Sequence, residues 1–330
     1  MRNCCLWLVL SVLCSTFLSC EHVDIEYDTT PIEDWKTSGA EYIAVFGDIQ
    51  YYTNSYYINL YNSSVGWLEN QLKLGARFDC ILHTGDITQE NEVSAYELFS
   101  SSTSGLADKV LYVSAIGDHD YAWQERIYFY DREDSHFSEY MNFPKTVNNV
   151  VAQYEPGRMD NIVVQNTIHG QRYDILSLEF GPRKEVVEWA DKYVSEHSDI
   201  KFILINHEYL DSGGGIRTKN LKCEARIRWS SYSTPSELWD NLIRKNDNIA
   251  WVLCGHVGSL YAYTPMVNDF GREVPQIEHN IQSNNYRYDG WLMLWEFPAE
   301  GDMASVSIIN TRRGNFYEDN RKLITFQYKY

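Results

Sequence analysis

Thiolates, positive charge and nucleotide-cradling glycine loops are what this chain is short of. Of its seven cysteines, Cys4, Cys5, Cys14 and Cys20 belong to the leading segment, and only Cys80, Cys223 and Cys254 lie beyond it. Cys80 and Cys254 sit inside apolar, strand-like runs and read as core filling, so neither a disulfide framework nor a thiolate zinc or iron–sulfur site is offered. No G-x-S-x-G, P-loop or G-x-G-x-x-G segment occurs, which sets aside serine hydrolases and nucleotide-cofactor enzymes built on those motifs. Lysine and arginine total 28 against 46 aspartates and glutamates, a formal net charge of −18, and this argues against a nucleic-acid groove or an anionic membrane surface as partner. There is no internal repeat and no low-complexity tract. The apolar run over residues 6–18 is too short to span a bilayer.

What the sequence does supply is five short segments, each closing an apolar run: GDIQ (47–50), GDIT (85–88), GDHD (117–120), NHE (206–208) and GHVG (255–258). They put Asp48, Gln50, Asp86, Asp118, His119, His207 and His256 at strand ends, the edge where α/β proteins build sites. Taken singly, G-D is a common turn signal and a histidine after a strand is ordinary. Repetition at five strand ends is what points to a ligand set. Its oxygens and imidazoles suit divalent Mn, Fe, Zn, Mg or Ni. A carboxylate bridging two ions about 3.5–4 Å apart makes a hydroxide nucleophile near neutral pH and clamps a phosphoryl oxygen, so hydrolysis is the expected chemistry.

In order and spacing these segments resemble the calcineurin-like metallophosphoesterases, whose pattern runs D-x-H, G-D-x, G-N-H-[DE], a lone His, then G-H-x-H. The resemblance covers roughly residues 41–330. It implies an α/β fold, a four-layer α/β/β/α sandwich of two packed mixed sheets flanked by helices, with one or two divalent ions (Mn, Fe, Zn or Mg). It further implies a first ion on Asp48, position 50, the bridging Asp86 and position 258, and a second on Asp86, position 118, His207 and His256. Three positions depart: Gln50 stands for the first His, Asp118 for Asn, and Gly258 for the last His. The first position has thus lost both imidazoles and keeps Asp48, Asp86 and a Gln50 carbonyl oxygen. If ionised, Asp118 holds the second ion more tightly and lowers its Lewis acidity; if protonated, it imitates Asn. GDIQYY, GHVG, Asn280-Ile281-Gln282 and Asp289-Gly290-Trp291 together look like a looser subgroup of the superfamily, so the departures read as a variant site. His119 matches the family histidine assigned to protonating the leaving group or stabilising the transition state, and Asp120 would orient it through a hydrogen bond.

The function so implied is an extracytoplasmic metal-dependent phosphoesterase acting on a small phosphorylated substrate: a phosphomonoester, a phosphodiester or a pyrophosphate. The alternative, motivated by Gln50 and Gly258, is a catalytically weakened sandwich used as a surface binding or scaffold protein. No nucleic-acid or protein partner is inferred. At the N-terminus, Arg2, the apolar run and Leu18-Ser19-Cys20 resemble a bacterial lipoprotein signal. On that reading residues 1–19 are a signal peptide, 20–40 a polar tether behind a lipidated Cys20, and 41–330 the phosphoesterase domain. The chain would be exported and held to the bacterial envelope, at the outer membrane or cell surface, by that lipid alone. An ordinary secretory signal, leaving a secreted or periplasmic protein, is the alternative.

Periodicity predicts strands over 42–46, 78–83, 109–115, 201–205 and 249–254, with helices over 64–74, 92–106, 182–195 and 235–245. A hairpin is expected around His169-Gly170, and a strand-rich tail over 260–264, 276–282, 291–297, 304–309 and 323–328. The aromatic stretch 124–165 reads as a packed excursion in preference to a lid. The loop 211–228 reads as solvated surface, with a phosphate grip by Arg217 as its sharper alternative.

Overall fold

The computed structural model describes residues 35–124, 129–218, 232–283 and 287–330. The expected signal, most of the expected tether, and Cys223 lie outside them. Strand β1 (Glu41–Phe46) pairs in parallel with β2 (Phe78–His83), and β2 with β3 (Leu111–Ser114). Parallel pairing demands crossovers, and α1 (Ile58–Lys73) and α2 (Val93–Ala107) supply them. Helix α1 starts six residues before the predicted 64, because Leu60 and Tyr61 already lie on its buried face while Asn59 and Asn62 mask that turn in a hydropathy pattern.

The middle of the chain comprises β4 (Ala122–Gln124), β5 (Phe129–Asp131), α3 (Phe137–Tyr140), α4 (Pro144–Val147), β6 (Val150–Gln153) and β7 (Ile162–Val164). Phe137, Met141 and Phe143 are buried in the main core, so the described part of the aromatic stretch packs inward. β6 and β7 were not predicted: each is four residues or fewer, too short to set up an alternation. The hairpin of β8 (Thr167–Ile168) and β9 (Gln171–Leu178) turns on His169 and Gly170, both at positive φ (48° and 74°), the geometry that matches the twist of a tight hairpin.

There follow α5 (Lys184–Glu196), β10 (Lys201–Asn206), α6 (Pro235–Leu238) with a π-turn over Trp239–Ile243, and β11 (Ile249–Cys254). The tail is β12 (Tyr261–Val267), β13 (Glu273–His279), β14 (Trp291–Phe297), β15 (Met303–Asn310), β16 (Asn315–Phe316) and β17 (Ile324–Gln327). β13 stops three residues short of the predicted 282, since Asn280 and Gln282 leave the sheet to bind carboxylates.

Two mixed sheets result. One runs β16-β15-β14-β1-β2-β3 with β17 beside β15; the other runs β12-β13-β11-β10-β9-β7-β6 with β8 beside β9. Ile43, Leu82 and Met293 of the first share a single buried cluster with Ile203, Ile205 and Trp251 of the second. At its centre Trp251 stacks on Tyr173 (5.0 Å between centroids) and meets Trp295 of the opposite sheet edge-on at 5.9 Å. Truncating so large a buried ring costs about 3–5 kcal/mol. Phe202, Leu204 and Val252 face the other way, onto Val186, Val187, Ala190 and Leu242 of the helices. Helices thus flank both sheets. No helix among the described residues is long and apolar enough to cross a membrane.

Candidate metal centre

All five segments arrive at one edge, because parallel strands end on the same side. The turns after β1, β2 and β3 carry Asp48, Asp86 and Asp118, and those after β10 and β11 carry His207 and His256 from the other sheet. One ligand atom from each of Asp86, Asp118, His207 and His256 falls within 4.8 Å of every other. His207 Nε2 is 3.2 Å from Asp86 Oδ1 and 3.4 Å from Asp118 Oδ1, and His256 Nδ1 is 3.1 Å from Asp118 Oδ1. His207 Nδ1 donates to the Thr84 carbonyl at 2.8 Å, which turns Nε2 toward the cluster. Asp86 and His256 sit at positive φ (55° and 71°), left-handed conformations that persist where surrounding bonds enforce them.

Close approach explains the glycines of these motifs. A Cβ at Gly117 would lie 2.8 Å from Asp86 Cγ, and closer still to its Oδ1 and amide N; one at Gly255 would strike the Asp48 carboxylate and the Thr84 hydroxyl. The loops cross so tightly that a single methyl displaces a ligand.

The cluster is poised for positive charge. Burial alone would raise the Asp86 and Asp118 carboxyls, but the His207 charge holds Asp86 low, and His256, with hydrogen bonds from both imidazoles, holds Asp118 well below the usual carboxylate range. That direction favours the ionised form of the two states left open by sequence. Burial disfavours a charged His207, yet Asp86 and Asp48 outweigh it and hold this imidazole well above its ordinary value. Two carboxylates, two imidazoles and a strong preference for a cation fit a divalent ion with mixed nitrogen and oxygen ligands.

The neighbouring position is built differently. Asp48 Oδ2 accepts from the His256 backbone N–H (2.9 Å), Asn280 Nδ2 (2.9 Å) and Gln282 Nε2 (3.0 Å), while Thr84 Oγ1 donates to its Oδ1 at 3.0 Å. Burial pushes the Asp48 carboxyl up to about 7. Gln50, expected to offer its carbonyl, instead directs Nε2 at Asp86 Oδ2 (2.9 Å), and its Oε1 is buried without a hydrogen-bond partner. Gly258 is exposed, with nothing within 4 Å of a Cβ built there. These atoms do not fit an ion: hydrogen-bond donors converge where ligands would have to. Thr84, Asn280 and Gln282 were not among the predicted site residues. The Asn280-Ile281-Gln282 motif was the available signal, but its assignment to a strand hid its role.

His119 lies beside the cluster. Its backbone N–H donates to Asp86 Oδ1 at 3.1 Å, and its Nδ1 is 2.7 Å from the Gln89 carbonyl. Burial disfavours its charged form, but Asp86 and Asp118 win and raise its pKa. Asp120 does not orient this ring. Its buried carboxylate takes nearer donors, the N–H groups of Ile87, Thr88 and Gly117 and the Tyr96 hydroxyl, and so ties the Asp86 turn to the Asp118 turn. Glu208 is 3.7 Å from His256 Nε2 and pairs with Arg217 at 2.7 Å. Arg217 thus supports the site from behind and is not held ready for phosphate.

Residues 42–259 match the family model described as calcineurin-like phosphoesterase. The chain belongs to that family. A second likeness, 24% identity over 94% of the chain, is to the Bacillus subtilis (strain 168) protein YvnB, described as uncharacterized, of whose length the chain spans 23%. Among solved structures, the Haemophilus influenzae NAD nucleotidase aligns with 14% identity and a TM-score of 0.44 over 86% of this chain and 54% of that one. The Candida albicans SC5314 5'-nucleotidase gives 11% identity and 0.47 over 82% and 51%. This calcineurin-like phosphoesterase presents Asp48, Asp86, Asp118, His207 and His256 on the strand ends described above.

Proposed function

We propose that this calcineurin-like phosphoesterase is an exported, metal-dependent hydrolase of small phosphorylated substrates, a phosphomonoester, phosphodiester or pyrophosphate. The observation that carries the reading is the convergence of Asp86, Asp118, His207 and His256, four ligand atoms within 4.8 Å of one another. A divalent ion held there supplies Lewis acidity, polarising a phosphoryl oxygen and making water a better nucleophile near neutral pH. The chain's own residues do the rest. The Thr84 carbonyl holds His207 with Nε2 toward the carboxylates, Asp120 locks the two acidic turns together, and His119, whose pKa Asp86 and Asp118 raise, delivers a proton to the departing oxygen.

Export rests on the leading sequence: the apolar run closing at Leu18-Ser19-Cys20 supports a lipid on Cys20. The test has two arms. Purified protein is loaded in turn with Mn, Mg, Zn or Fe and offered a panel of the three ester classes; hydrolysis of one class, lost in Asp118→Ala, is expected. Failure on every class with every ion would make the scaffold reading the better one. Separately, Cys20→Ala should move the protein from the membrane fraction to the soluble one, and no change would remove the anchor.

A further inference from the structure

We infer that the Gln282 carboxamide occupies the place of the family's first ion, so that this chain binds one divalent cation and not two. The inference rests on the reading of Asp86, Asp118, His207 and His256 as an ion site. Gln282 Nε2 stands 3.0 Å from Asp48 Oδ2 and 3.1 Å from Asp86 Oδ2, between the two carboxylates that a first ion would have to join. An amide NH₂ carries two hydrogens, and here each meets one carboxylate oxygen.

Two other donors on Asp48 Oδ2 cannot turn round to offer lone pairs. One is the His256 backbone N–H. The other is Asn280 Nδ2, whose orientation is set because Asn280 Oδ1 accepts the Gln282 backbone N–H at 2.6 Å. An oxygen already accepting three N–H groups has no lone pair left for a cation. Its partner oxygen takes the Thr84 hydroxyl, and Asp86 Oδ2 takes Gln50 as well as Gln282. Position 258 adds no side chain. Asp48 is thus a positioning residue: it anchors the left-handed His256 turn, and with it the imidazole that faces Asp118.

The test counts ions. Protein equilibrated with millimolar Mn is separated from free metal, and bound Mn per chain is measured for the parent, His207→Ala and Gln282→Glu. The parent should hold one ion and His207→Ala none. Gln282→Glu, which exchanges the N–H donor for an oxygen at nearly constant size, should hold two. Two ions in the parent would overturn the inference while leaving the four-ligand site standing. No ion in the parent would overturn the site itself, and the inference with it. One ion in both the parent and Gln282→Glu would remove the role given to Gln282, and retention in His207→Ala would put the ion elsewhere.

Discussion

Replacing Gly117 by alanine is the smallest change that should break the site. Gly117 has φ −92° and ψ 174°, a conformation open to alanine, so the effect is steric alone. The new methyl would lie 2.8 Å from Asp86 Cγ where ordinary contact begins at 3.4 Å, and Asp86 Oδ1 and N are nearer still. One turn must therefore retreat by about 0.6 Å or more, and overpacking of this kind costs about 1–3 kcal/mol. Ligand distances tolerate only about ±0.2 Å, so displacing Asp86 Oδ1, which faces His207 Nε2, should weaken metal binding by at least the 10–100-fold typical of disturbed ligand positioning. Calorimetric titration with Mn and thermal unfolding measure the two effects. Gly66 supplies the control: it is exposed within α1 with nothing within 4 Å of a Cβ, so Gly66→Ala should stabilise by about 0.5–1 kcal/mol and leave metal binding alone. A Gly117→Ala protein with the parent's melting temperature and Mn affinity would refute the argument from loop crossing.

Three further outcomes are expected. His119→Ala should keep its metal yet lose about 10²–10⁴-fold in turnover of an ester with a poor leaving group, with a smaller loss on a nitrophenyl ester; equal losses on both would remove the acid role. Because Asp86 and Asp118 come from turns of one sheet and His207 and His256 from the other, metal at a hundred times its Kd should add about 2.7 kcal/mol to stability, read as a rise in melting temperature that EDTA reverses and Asp118→Ala does not show. Burial, reinforced by Glu41, pushes the Asp79 carboxyl from 3.8 up to about 9. Its folded value lies above its unfolded one, so the stability it contributes is whole at acid pH and drains away as pH rises toward 9. Asp79→Asn keeps a neutral side chain throughout, and its melting temperature should gain on the parent's between about pH 5 and pH 9; a difference that stays constant with pH would refute this.

The strands were legible because strands buried on both faces are continuous apolar runs: residues 78–83, 249–254 and 291–297 were predicted with the bounds the strands have. The strand-end motifs were legible because chemistry concentrates there. What escaped the sequence was whatever depends on a partner distant in the chain. Asp120 was paired with its neighbour His119, but a buried carboxylate takes the donors the fold brings, and these came from the turn at Ile87 and Thr88. Gln282 meets Asp48 across 234 positions, a contact no local pattern contains. The strands β6 and β7 were missed for brevity, and the first turn of α1 for its asparagines.

The strand directions also fix how the molecule is presented to its surroundings. Trp35 rests on Tyr42 and Phe78 (4.8 and 6.2 Å between rings), at the starts of β1 and β2, and the Tyr330 ring lies 3.6 Å from Lys201 Nζ, at the start of β10. Asp48, Asp86 and His207 follow the far ends of those same strands, each six residues long, a separation of about 20 Å at 3.3 Å per residue. Both described ends of the chain therefore leave from the pole opposite the ligands. The described chain thus keeps its two ends at one pole and its acidic and imidazole side chains at the other.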